Sequence, residues 1–161
     1  MPILKLPESV MRVNNKKRAV LLLAGAALLI YLLWLVFRPV EIVAAHNKNG
    51  YSDVLVKNFP FTHKGKINWW LENRAMLKEK YNVPNPDKDG SFWVTFFLFG
   101  EGYKKDKIDE RLCFDEIKSE LRCIDKKAVL TVGSSQGNQA FFRVNKGKYI
   151  LRNNGKIDKV E

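Results

Sequence analysis

The sequence predicts an α+β protein: a single N-terminal transmembrane helix, then a small domain of antiparallel strands and hairpins with one main helix packed on the sheet. Three observations predict it. Ala19–Phe37 is an uninterrupted apolar run. After it, short β-branched and aromatic segments recur between Gly- and Asn-containing turns. One longer segment, Thr62–Tyr81, has helical periodicity instead.

The apolar run reads AVLLLAGAALLIYLLWLVF, 19 residues without a charge. As a helix it spans about 28 Å, close to the ~30 Å hydrocarbon core of a bilayer. Ala19 opens it, and Tyr31, Trp34 and Phe37 gather at its C-terminal end as interfacial aromatics do. Lys5, Arg12, Lys16, Lys17 and Arg18 precede it against Glu8 alone, whereas only Arg38 follows at once. The positive-inside rule therefore predicts a basic cytoplasmic tail over 1–18, a span over 19–37 and a periplasmic domain over 38–161, anchored in a bacterial inner membrane. Val43-Ala44-Ala45 offers a signal-peptidase site. The run is longer than the ~7–15 residues of a signal peptide, which favours an uncleaved anchor.

This topology reinterprets the charge. The chain has 28 Lys and Arg against 17 Asp and Glu, a net +11. The tail holds +4 of it and residues 38–161 hold +7. For an exported basic domain the counterpart is an anionic membrane surface or an acidic protein rather than nucleic acid, and a mixed, merely soluble surface accounts for the charge equally well.

Within the domain, Val40–His46 and Tyr51–Lys57 flank Asn49-Gly50, a type I′ hairpin signal. Pairing through that turn sets His46 against Asp53, Ala45 against Val54 and Val43 against Val56. The helix Thr62–Tyr81 has Thr62 as N-cap and Pro84 and Pro86 at its exit. Ile67, Trp70, Leu71, Leu77 and Tyr81 share the face that covers a sheet. Trp69 and Met76 share a different face. A broad buried stripe accounts for them, and the sharper reading is an exposed pair that serves a protein partner. Phe92–Phe99, FWVTFFLF, reads as a central strand buried on both faces.

RLCFDEIKSELRCID follows. With Cys113 opposite Cys123 in an antiparallel hairpin, Arg111 faces Asp125, Glu110 faces Lys126 and Asp109 faces Lys127. All three pairs are opposite in sign, which favours the register. Leu112, Phe114 and Ile124 form its apolar side, and the cysteines lie on the more polar side. Exported cysteines pair as a rule, with free thiols as the alternative, and closing this loop contributes about 2–3 kcal/mol; a helical turn over 115–121 would bring the same cysteines together. The last third is a meander. It runs through Ala128–Val132, a polar loop over Gly133–Gly137, Gln139–Val144 paired with Lys148–Arg152 around Lys146-Gly147, and Lys156–Val160 after Asn154-Gly155. The third pairing aligns Val144 with Tyr149 and Phe142 with Leu151.

RPVEIVAAH, YSDVLVKNFPF, KGKINWWLENRAMLKEKYNVP and RLCFDEIK…RCIDK, behind a basic N-terminus and one span, resemble an enterobacterial putative membrane protein family, domain of unknown function 943. The resemblance covers almost the whole chain, and NFPFTHKGKINWW is its most specific part. It implies a small envelope protein and brings no catalytic residues with it.

Motifs that carry chemistry are scarce in the sequence. His46 and His63 have no Cys, His or carboxylate at metal-ligand spacing, and no nucleophile elbow, zinc helix or P-loop motif is present. The expectation is therefore a protein without catalytic residues, metal or cofactor. Its periplasmic domain would bind a protein, in the most concrete form as an immunity protein neutralising an antibacterial toxin. The alternative is a structural or accessory component of an envelope complex.

Overall fold

The computed structural model describes residues 8–136 and 139–161, with side chains from residue 14 onward. Residues 1–7 of the basic tail, Lys5 among them, and Gly137 of the polar loop lie outside the described residues. The chain divides into two compact units, 1–39 and 40–161.

The first unit is the helix α1, Glu8–Phe37. It begins well before Ala19, because Asn14–Arg18 contain no helix breaker and continue the same backbone. Its stretch Asn14–Phe37 is long and apolar enough to cross a membrane, with mean hydropathy 2.7 and none of it buried. At its end the Tyr31 and Trp34 rings stack at 6.1 Å, and the Arg38 guanidinium lies 4.9 Å from the Trp34 ring.

The second unit is α+β. Its elements are β1 (Glu41–Lys48), β2 (Tyr51–Lys57), α2 (His63–Tyr81), β3 (Phe92–Leu98), β4 (Arg111–Cys113), β5 (Cys123–Asp125), β6 (Ala128–Ser134), β7 (Phe141–Val144), β8 (Gly147–Leu151) and β9 (Ile157–Lys159). Seven strands form one sheet in the order β1-β2-β3-β6-β7-β8-β9, and β4 and β5 pair separately. Every sheet neighbour is antiparallel except β2 and β3, which are parallel and joined by α2. A parallel pair needs such a crossover, and the 19-residue α2 between the two strands provides it.

The β1–β2 turn is as expected. Asn49 and Gly50 have φ of 44° and 82°, and Ala45 faces Val54 while His46 faces Asp53. A bulge between Ile42 and Ala44 corrects the remainder: Val56 pairs with Ile42, not Val43. The extra residue lets Val43 join Ala44 against a second apolar cluster.

Helix α2 starts where expected. The Thr62 hydroxyl accepts a hydrogen bond from the Gly65 N–H at 3.0 Å. Asn82 ends the helix in the left-handed region, its N–H bonded to Leu77 and Lys78 carbonyls. Ile67, Trp70 and Leu77 are buried, and Leu71 and Tyr81 are half-buried. They cover the sheet face made by Val54, Val56, Val94, Phe96, Leu130, Val132, Phe142 and Val144.

Strand β3 is central, as predicted, but its faces are unequal. Val94 and Phe96 are fully buried, whereas Trp93, Thr95 and Phe97 are half-buried. The meander departs from the sequence expectation at two places. β6 continues through Gly133 and Ser134, both buried and assigned above to the polar loop. The β7–β8 register is shifted by two residues, pairing Val144 with Gly147 and Phe142 with Tyr149. The turn is Asn145-Lys146, because Asn145 takes the positive φ of 51°.

Candidate functional site

Alternation along the strands gives the sheet a second face, and the register assembles it into rows. One row runs Lys48, Tyr51, Trp93, Gly133, Phe141, Ile150, Asp158 across all seven strands. The next runs His46, Asp53, Thr95, Thr131, Arg143, Lys148. The third begins Ala44, Leu55, Phe97.

The third row is covered. Leu55 is buried with Phe114 and Ile124, which come from the β4–β5 hairpin and the residue after β4. Cys113 and Cys123 face each other and form a disulfide, with Cα atoms 4.0 Å apart. Arg111 pairs with Asp125 as the charge pattern predicts, at 3.4 Å. Pairing stops there. Glu110 turns to Lys107 at 2.6 Å, and the Lys126 ammonium donates to the Asp109 carbonyl at 3.3 Å. Asp109 has φ 62°, a turn geometry that ends the strand and removes the two outer pairs of the expected register. Cys123 is fully buried, so the cysteine side is not uniformly polar. Lys104 joins the hairpin to the loop after β3, reaching Asp125 at 2.8 Å and Glu101 at 3.0 Å. The hydrogen bond from Lys104 holds the Asp125 carboxyl below the usual aspartate range, and Asp125 raises Lys104 in return.

The middle row is polar and clips the hairpin to the sheet. The His46 ring stacks on Phe114 with centroids 3.8 Å apart. Its Nδ1 pairs with the Glu116 carboxylate, and its Nε2 lies 3.4 Å from the Tyr103 hydroxyl. His46 thus faces Asp53 across the strands, as the sequence predicts, while its hydrogen-bonding carboxylate is Glu116, seventy residues further along the chain. Burial pushes the Asp53 carboxyl up, with His46 opposing in part. Glu116 is held low, chiefly by its own backbone N–H and secondarily by His46. Burial raises the Tyr103 hydroxyl. An open groove of about 690 Å³ lies beside this clip, lined by His46, Lys48, Tyr51, Asp53, Phe114 and Glu116 among others.

The first row is open. Tyr51 is 61% exposed, and Trp93, Phe141 and Ile150 are half-buried. The Trp93 and Phe141 rings meet edge to face at 5.0 Å. Gly133 lies between them in the register, and a Cβ there would stand 2.4 Å from the Phe141 ring. Only glycine lets that ring lie down on the strand. The Lys148 ammonium sits 5.9 Å from the same ring.

The residues singled out from the sequence are distributed differently. Trp69 packs edge-on against Phe59 and Phe96, and Met76 is half-buried against the same core. Ala19, Tyr31, Trp34 and Phe37 lie exposed on α1, as do Lys16, Lys17 and Arg18. His63 bonds the Tyr149 hydroxyl at 2.7 Å beneath α2. Among the described residues, Asp106, Cys113 and Cys123 come close enough to resemble a metal cluster. The two sulfurs are bonded to each other and so are not the thiolates a metal requires.

Comparison with known families settles the kinship. The family model described as Enterobacterial putative membrane protein (DUF943) matches residues 12–161. The chain belongs to that family. The match takes in all of the second unit together with α1 from residue 12 onward, in keeping with the resemblance seen in the sequence. No curated protein and no solved structure matches the chain.

Proposed function

We propose that this member of the family is a membrane-anchored binding module without catalytic activity. One apolar helix holds it in the inner membrane, and the periplasmic domain captures a protein on the open face of its sheet. The row Tyr51–Trp93–Phe141–Ile150 carries this reading. Aromatic side chains presented together on a rigid sheet supply large contact area at small entropic cost, and such residues dominate binding hot spots. Lys48, Arg143 and Lys148 border the row and favour a partner whose apolar centre has an acidic rim. In its most concrete form the partner is an imported antibacterial toxin and the domain its immunity protein.

The test is a photo-crosslinking amino acid at Tyr51 in the full chain, expressed in enterobacterial cells, with a control at the exposed Glu79 of α2. A discrete protein adduct from position 51 that is lost in an Ile150→Glu background supports the reading. No protein adduct, or the same adduct from both positions, refutes it. For the immunity form, deletion of the protein must sensitise cells to a toxin delivered by sibling strains.

A further inference from the structure

The aromatic row leaves the block NFPFTHKGKINWW without a role. That block builds the start of α2, which covers the opposite face of the sheet. The helix opens on Thr62-His63-Lys64-Gly65-Lys66, with no acidic residue in its first turn. Thr62 accepts from the Gly65 N–H through its hydroxyl and from the Lys66 N–H through its carbonyl, both at 3.0 Å. The backbone N–H groups of His63 and Lys64 have no partner among the described residues. Such groups carry the partial positive charge of a helix N-terminus, which an Asp or Glu ordinarily offsets. Here basic side chains stand in that place.

Lys66 is a second, independent observation. It is only 7% exposed, the one buried charged residue among the described residues. Its ammonium meets no carboxylate, carbonyl or hydroxyl among the described residues. Burial lowers it below the ordinary lysine range, and no neighbouring charge or hydrogen bond opposes the shift. Helical side chains lean toward the N-terminus, so the Lys66 stem runs back over Thr62 and His63. The amine is not sealed in. Among the described residues, Arg38 Nε is the one fully buried side-chain nitrogen or oxygen without a hydrogen-bond partner. Lys66 therefore buries its stem and ends at the surface by the first turn.

The β7–β8 turn closes the other side. The His63 Nδ1 lies 2.7 Å from the Tyr149 hydroxyl, and its Nε2 lies 3.5 Å from the Asn145 amide. His63 thus holds Asn145, at the head of that turn, beside the start of α2. Neither 58–71 nor 139–157 contains an acidic residue. Glu161 reaches the neighbouring Lys148 through its backbone carbonyl, at 3.0 Å, and is exposed.

We infer that the first turn of α2 binds a phosphoryl group, with the His63 and Lys64 N–H groups and the Lys66 ammonium as donors and the Lys64 side chain at the rim. Helix N-termini hold such groups through free N–H donors, and several phosphoryl oxygens accept at once. The group supplies the acceptor that Lys66 lacks. The site is independent of the aromatic row, which lies on the other face.

The experiment titrates inorganic phosphate into the full chain in dodecyl maltoside micelles, at an ionic strength fixed with chloride, and follows backbone amide shifts. Saturable shifts are expected at His63 and Lys64, with Gly50 and Asp89 unmoved. Lys66→Met keeps the apolar stem and removes the charge. It is expected to weaken binding about tenfold or more, as loss of a hydrogen bond to a charged group does. Lys64→Gln, at an exposed position, is expected to weaken binding about threefold and keeps the test decisive if Lys66→Met does not fold. Glycerophosphoglycerol, the diester of a phospholipid headgroup, is titrated in parallel. Tighter binding of phosphate makes the ligand a free phosphate or phosphomonoester, tighter binding of the diester makes it a lipid headgroup, and either supports the site. Shifts that do not saturate with either probe would overturn the inference. So would equal affinities in the parent and in the folded lysine variants.

Discussion

Beneath α2 the sheet presents Val54, Val56, Val94, Phe96, Val132 and Phe142, all fully buried. One residue along, the same strands present Tyr51, Asp53, Trp93, Thr95, Thr131 and Phe141, exposed or half-buried. The first face is sealed by a helix whose position follows from its own chain connection. Among the described residues, the second is covered at one end, by a hairpin that is closed by its own disulfide and joined to the sheet through the Leu55–Phe114–Ile124 cluster, the Asp125–Lys104 bridge and the His46–Glu116 clip. Stability is therefore concentrated on one face, which leaves the other free to carry aromatic and charged residues that contribute little to folding. Substitutions on the two faces should separate accordingly.

The largest difference is expected at Phe96. It is fully buried and touches Phe59, Trp69 and Trp70 through ring contacts of 5.3 to 5.9 Å. Phe96→Ala should cost about 3–5 kcal/mol, whereas Tyr51→Ala on the open face should stay within about 0.5 kcal/mol. Urea unfolding of the full chain in detergent micelles, followed by tryptophan fluorescence, compares them. Similar costs would abolish the distinction between the faces.

Next in size is the disulfide. Cys113→Ser/Cys123→Ser is expected to lose about 2–3 kcal/mol of hairpin stability. The loss should be confined to the second face. Hydrogen exchange should quicken at Leu112, Phe114 and Ile124 while Val94 and Val132 keep their protection. Equal acceleration on both faces would show that the hairpin is part of the main core.

The first face was legible from the sequence because its signals are local. Asn49-Gly50 sets the first hairpin register, Thr62 marks the helix start, and the spacing of Ile67, Trp70 and Leu77 gives the buried stripe. The Cys113–Cys123 register was legible from one local charge pattern, and it failed beyond Arg111, where Asp109 turns the chain. The β7–β8 register was misread because glycine is the usual turn signal, while here Asn145 bends the chain and Gly147 is a paired strand residue. The aromatic row was not legible at all. Its members lie on β2, β3, β7 and β8, and they align only because β3 is flanked by β2 in parallel and β6 in antiparallel fashion. Nothing within any single segment specifies that order. The same is true of Glu116, which no local pattern connects to His46.

A smaller effect is expected at the N-cap. Thr62→Ala removes the acceptor for the Gly65 N–H and should cost about 1 kcal/mol by the same urea assay. The loss belongs to the first face: α2 amides near Ile67 should exchange faster, with Leu112 and Ile124 unchanged. Thr62→Ser should recover most of it.

The smallest effect tests the clip on the second face through pH. Glu116 is held below its ordinary value of 4.5, chiefly by its own backbone N–H and then by His46. A carboxyl depressed by folding stabilises the native state above its unfolded value, and that contribution is lost as pH falls through the folded value. Asp53, beside His46 in the middle row, is raised above 3.8 by burial. Its contribution has the opposite sign: it favours the folded state below 3.8 and is lost as pH rises through the raised value. Acid therefore releases the clip at Glu116 while relieving the strain of a buried carboxylate at Asp53. Because Glu116 is 58% exposed, its share is well under about 1 kcal/mol. Glu116→Gln should lower stability at neutral pH and match the parent once the medium is acid enough to protonate Glu116. Asp53→Asn should do the reverse, gaining at neutral pH and losing that gain in acid. A Glu116→Gln deficit of the same size at both pH values would assign the contact to shape rather than charge, and would leave Phe114 stacking on His46 as what holds the hairpin down.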